Sequence, residues 1–187
     1  MSVDINILNP VGSISTDLFQ FNAPTGVLPD LVLKYENPNK VLDLAHPDLV
    51  PLIERMLKEI KKFDSRDCVI DYKVRSLKSG DPGSTIPGFH IDCCNDIHDD
   101  FEPETHLIYS TVQGTSFAVN PIDVSRYNSV HEVLKNESIT EVIGSTESVH
   151  RFTSKVLHRC PIIEHDCQRI LIRVTSGFKD RLKRNRK

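Results

Sequence analysis

No tryptophan occurs in the sequence, and there is no internal repeat, no heptad pattern and no glycine-rich loop of the kind that cradles phosphates. No apolar run approaches the roughly 20 residues needed to span a bilayer as a helix. The first residues lack the basic start and apolar stretch of a secretory leader, so a cytoplasmic protein is expected. The five cysteines (Cys68, Cys93, Cys94, Cys160, Cys167) are an odd number without the spacing of a disulfide framework, which fits a reducing compartment. A net charge of −3 excludes a protein that coats nucleic acid through overall charge.

What is present belongs to an ordinary globular chain: 39% hydrophobic and 26% charged residues in 187. That length suits one domain with a real core. The expected division is N-terminal strands and a supporting helix over 1–66, a β core over 67–178, and a basic tail over 179–187. The tail carries Lys179, Arg181, Lys183, Arg184, Arg186 and Lys187, and is expected to lie outside the core.

Along the chain, residues 1–40 mix short β-prone pieces with turn formers. Leu49, Leu52, Ile53, Met56, Leu57 and Ile60 then recur at helical spacing, predicting an amphipathic helix capped by Asp48, with Pro51 in its first turn. Residues 68–77 alternate as a strand, in which Tyr72, Lys73 and Arg75 are candidates for contact with a ligand. The acidic segment 95–104 is expected to be an exposed loop, and strands over 105–112 and 115–119 to form a hairpin. Val130, Val133 and Leu134 suggest a short helix. Strand-like stretches follow at 139–143, 154–158 and 169–175.

The chemistry centres on Pro87-Gly88-Phe89-His90-Ile91-Asp92. Side chains at i and i+2 of a strand share a face, so His90 and Asp92 converge while Phe89 and Ile91 point the other way. A distal histidine, His158, would complete a set of two imidazoles and one carboxylate, which leaves metal coordination positions open. Arg169 opens the last strand eleven residues after His158, and Arg173 follows on the same face. Two arginines facing an interior require anionic partners.

In this order and spacing the stretch from about Val69 to Ser176 resembles the iron(II)- and 2-oxoglutarate-dependent oxygenase superfamily. The resemblance implies a mainly β, double-stranded β-helix (jelly-roll or cupin-like) core, consistent with the count of short strands. It implies Fe(II) held by His90, Asp92 and His158, and 2-oxoglutarate as co-substrate with its distal carboxylate on Arg169 or, in competition, Arg173. Tyr109 would hydrogen-bond the co-substrate. With dioxygen, such an enzyme converts 2-oxoglutarate to succinate and carbon dioxide while hydroxylating a substrate, here expected to be a small molecule rather than a nucleic acid. The other readings are a cupin-like metal- or ligand-binding module without oxygenase activity, a zinc site among Cys93, Cys94, His98 and His106 or among Cys160, His165 and Cys167, and a Cys-His nucleophilic pair.

Overall fold

A computed structural model of the chain describes residues 6–83, 86, 88–92, 96–100 and 102–179. Strands β1 (Ile7–Leu8), β2 (Ile14–Gln20) and β3 (Leu31–Glu36) lead into helix α1 (Pro38–Leu44), a 3₁₀ turn (Pro47–Leu49) and helix α2 (Val50–Ile60). There follow β4 (Cys68–Leu77), β5 (Thr105–Ser110), β6 (Ser116–Ala118), β7 (Ile122–Asp123), α3 (Val130–Asn136), β8 (Glu141–Ile143), β9 (Ser148–Thr153), β10 (His158–Arg159) and β11 (Cys167–Ser176).

The fold is mainly β and antiparallel. A six-stranded sheet runs β2-β9-β5-β11-β4-β3, and a small sheet runs β10-β6-β8. An isolated antiparallel bridge between His90 and His158 adds residues around His90 to the edge of the small sheet, beside β10. From β4 onward the chain passes between the sheets: β4 large, the His90 segment small, β5 large, β6 small, then β8 small, β9 large, β10 small and β11 large. That alternation is the winding of a double-stranded β-helix, with four core strands in each wall.

Side-chain alternation divides the buried residues into layers. The outer face of the large sheet, with Tyr72, Val74, Leu107, Tyr109, Val149, Ile170, Ile172 and Val174, packs against Val41 of α1 and Leu52, Ile53, Met56 and Ile60 of α2. The four α2 side chains are fully buried, and each such burial stabilises by about 1.5–3 kcal/mol. Between the sheets lie Ile108, Phe117, Phe152, Val156 and Leu171. The outer face of the small sheet is covered by Ile122, Val124 and Val133, with Phe89 and Ile91 packed against the same cluster as their strand parity predicts.

Several local expectations are corrected. Helix α1 arises where strands and loops were expected: Pro38 at its start and the Asn37 side chain, accepting from the Asn39 amide at 2.9 Å, nucleate it. Asp48 does not cap the next helix; it sits inside the 3₁₀ turn, whose cap is the His46 side chain. β5 and β6 are not a hairpin, because the turn after β5 carries the chain into the other sheet. There Gly114 approaches Gly144 so closely that a Cβ would lie 1.6 Å from the Gly144 carbonyl oxygen. Residues 154–157 form a turn rather than a strand. In the acidic segment, Ile97, Asp99 and Glu104 are buried, and the buried Lys155 ammonium donates to the Ile97 carbonyl at 3.1 Å. Short-range composition indicates exposure here, but a lysine brought from far along the chain holds the segment in place.

Candidate metal centre

The His90–His158 bridge fixes two ligands through the main chain. Each residue's amide donates to the other's carbonyl at 3.0 Å, so the imidazoles stand opposite each other with centroids 4.5 Å apart. Asp92, two residues on, turns to the same side: its carboxylate oxygens lie 3.9 Å from His90 Nε2 and 3.4 Å from His158 Nε2. Ligand atoms of all three residues lie within 4.8 Å of one another, and this triad can hold a metal ion.

The second nitrogen of each ring shows which atom is available. His90 Nδ1 lies 3.0 Å from the Gly88 carbonyl, and His158 Nδ1 lies 3.0 Å from the Val156 carbonyl. A carbonyl can only accept, so both Nδ1 atoms carry the proton and both Nε2 atoms face Asp92 with a lone pair when the ring is neutral. Two lone pairs and a carboxylate pointed at one spot repel unless a cation sits among them. A divalent ion would satisfy all three at once. Burial lowers the His90 pKa, helped by the neighbouring His158, which favours the neutral, ligating form. The Phe152 ring packs against the His158 ring, tilted at 53° with centroids 4.8 Å apart.

Asp92 is steadied from the other side by Arg173, whose Nη1 donates to Asp92 Oδ2. The same guanidinium binds Asp71 Oδ2 through Nε at 3.0 Å and Nη2 at 2.6 Å. Burial opposes ionisation of Asp92, but His158 and the Arg173 charge outweigh it and hold the carboxyl far below its usual range. Arg173 therefore faces the interior with its anionic partners already in the protein.

Arg169 is the arginine with capacity left over. It is 3% exposed; its Nε donates to Ser110 Oγ at 2.9 Å and its Nη1 to the Gly83 carbonyl at 3.0 Å. Its Nη2 is buried without a partner among the described residues. A buried guanidinium nitrogen left unpaired is costly, and an anion would remove the penalty. A cavity of about 720 Å³, its open mouth included, is lined by His90, Asp92, His158, Ile108, Leu171 and Gly83 among others. Leu171 and Gly83 also border the smaller recess at Arg169, so the two spaces adjoin.

The structure does not bring Tyr109 to this cavity. Tyr109 is fully buried on the opposite face of the large sheet and donates its hydroxyl to the Phe21 carbonyl at 3.1 Å. Its neighbours Ile108 and Ser110 occupy the inner face instead, a one-residue change of parity. Tyr72 shares the outer face with it. Asp71 and Ser110 were missed as site residues. Asp71 leaves a trace in the sequence, a carboxylate within the apolar run Val69-Ile70-Asp71-Tyr72, whereas Ser110 leaves none. Cys93 and Cys94 lie outside the described residues, as do residues 180–187 of the tail. Among the described residues the metal-competent group of histidine, cysteine and carboxylate side chains is the triad alone. No helix of the described residues is long and apolar enough to cross a membrane.

No protein-family model matches the chain, and no curated protein matches its sequence. Solved structures that are similar in part include two crystal structures. The crystal structure of EvdMO1 superposes with a TM-score of 0.44 at 14% identity, covering 89% of this chain and 40% of that one. The crystal structure of EvdO2 from Micromonospora carbonacea var. aurantiaca gives 0.43 at 10% identity, covering 81% of this chain and 67% of that one.

Proposed function

We propose that the protein is a non-haem Fe(II)- and 2-oxoglutarate-dependent dioxygenase that hydroxylates a small molecule, releasing succinate and carbon dioxide. The observation that carries this reading is the pairing of an open two-histidine, one-carboxylate group with a buried, incompletely bonded arginine across two adjoining spaces that share Lys73, Gly83 and Leu171. Iron(II), when bound, supplies the activation of dioxygen; the triad leaves coordination positions for it and for an oxo acid.

The chain's own residues do the rest. His90 and His158 present Nε2 because backbone carbonyls hold their Nδ1 protons. Asp92 supplies the negative ligand, and Arg173 keeps it ionised and aimed. Arg169 offers Nη2 to the distal carboxylate of 2-oxoglutarate, whose methylenes would lie along Leu171 and Ile108. Arg173 is the weaker candidate for that role because two carboxylates occupy its donors.

The test is an anaerobic titration of the purified protein with Fe(II) and then 2-oxoglutarate. A weak visible charge-transfer band that saturates with one equivalent of each is expected. Iron binding without the band would favour a metal-binding barrel that lacks oxygenase chemistry.

A further inference from the structure

The dioxygenase reading leaves the inward-facing cation Lys73 unused. Lys73 of β4 pairs in register with Leu171 on one side and Val32 on the other, so its side chain rises from the inner face of the large sheet. It lines the same cavity as the triad and is partly buried. Among the described residues its ammonium has no hydrogen bond or ion pair. Asp71, the carboxylate nearest along the same face of β4, gives Oδ2 to Arg173 and Oδ1 to the Tyr35 amide at 3.0 Å. Burial lowers the Lys73 pKa; Asp71 opposes this, while Arg173 and Lys34 reinforce it.

Lys34, on β3 at the exposed edge of the sheet, lines the same cavity. The cavity wall thus carries Lys34, Lys73 and Arg173 against Asp71 and Asp92, and Arg173 binds both carboxylates. A divalent ion at the triad makes the excess of positive charge larger. Lys34 lies on β3, two strands from the Arg169 strand β11, while Lys73 on β4 stands between them and borders the Arg169 recess as well as the cavity; neighbouring strands are about 4.8 Å apart. An anion held by both lysines would sit on the Lys34 side of Lys73, at the mouth, beside a co-substrate carboxylate on Arg169.

We propose that the substrate carries a carboxylate or phosphate group, which Lys73 and Lys34 hold at the mouth of the cavity while the rest of the molecule reaches the triad. The word substrate rests on the dioxygenase reading; the anion site rests on the lysines alone.

The experiment is calorimetric titration of protein loaded with Mn(II) and 2-oxoglutarate, using n-butyl phosphate, butyrate and butanol as probes. One of the two anions should bind at least tenfold more tightly than butanol, and which one does so identifies the group. Lys73→Gln should weaken that anion about tenfold and Lys34→Gln severalfold, with metal content and far-UV circular dichroism unchanged. The affinity for 2-oxoglutarate, titrated separately, should stay within twofold. Butanol binding as well as the anions, no binding of either anion, or Lys73→Gln weakening 2-oxoglutarate as much as Arg169→Gln does would each overturn the proposal. If 2-oxoglutarate fails to bind the wild-type protein but an anion binds through the lysines, the anion site stands and the dioxygenase reading falls.

Discussion

Arg173 joins the two carboxylates Asp71 and Asp92, one on the large sheet and one in the candidate triad on the opposite wall, through a single guanidinium. The contact crosses the barrel interior, so the arginine is both a structural tie and the support of the carboxylate in the candidate triad.

Removing it has two separable consequences. Arg173→Met leaves Asp71, whose side chain is 3% exposed, as an uncompensated buried carboxylate, and should destabilise the protein by about 3–5 kcal/mol. It should also weaken metal binding about 10- to 100-fold, the range for losing a group that orients a ligand. Urea unfolding and iron titration measure the two effects. Restoring stability with Asp71→Asn in the same chain, without restoring metal affinity, would separate them.

Loss of a ligand acts differently. His90→Ala or Asp92→Ala should abolish stoichiometric Fe(II) binding and 2-oxoglutarate turnover while the far-UV spectrum is retained. His90 contributes to the wall through its amide and carbonyl, which alanine keeps. Full turnover in both variants would sink the triad as the iron site.

At the other end of the cavity, Arg169→Gln should raise the 2-oxoglutarate requirement about 10- to 100-fold with little change in iron affinity, as expected for one charge-assisted contact. Gly83→Ala should act in the same direction. A Cβ there would lie 2.8 Å from Arg169 Nη1 and 2.7 Å from the Pro161 carbonyl oxygen, displacing the guanidinium. Steady-state titration of 2-oxoglutarate in both variants checks this, and an Arg173 variant with the larger effect would exchange the roles of the two arginines.

The metal-free protein should lose stability in two stages on acidification. His90 has a folded pKa below its usual 6.5, so the unfolded chain takes up that proton first, and stability falls as the pH drops below about 6.5. Asp92 is likewise depressed from 3.8, and its contribution, present above that value, is lost as the pH falls further. Urea midpoints measured from pH 8 to pH 3 should show both stages, and His90→Gln should remove only the upper one.

How much of this was legible beforehand depended on whether a signal was local. The parity of β11 placed Ile170, Ile172 and Val174 against Arg169, Leu171 and Arg173 correctly, and helix α2 declared itself by period. The grouping of His90, Asp92 and His158 followed from H-x-D and a distal histidine. Which face of β5 turns inward did not, because its buried pattern is continuous on both sides; Tyr109 and Ser110 are equally hidden from solvent and only the partner strands decide between them. The choice between Arg169 and Arg173 depended on Asp71, a residue about a hundred positions earlier in the chain. The same is true of the acidic segment, whose burial is set by Lys155.

Among the described residues the wall segment that carries His90 meets β10 through one isolated bridge, whereas β4 and β11 pair over ten residues. An ion shared by His90, Asp92 and His158 would span that joint, so loading the site and holding the two segments together would be a single equilibrium, and the joint would be protected in proportion to saturation. The amide protons of His90 and His158 are the reporters: their exchange with solvent should slow with metal concentration, while that of Ile172, in the middle of the large sheet, stays constant.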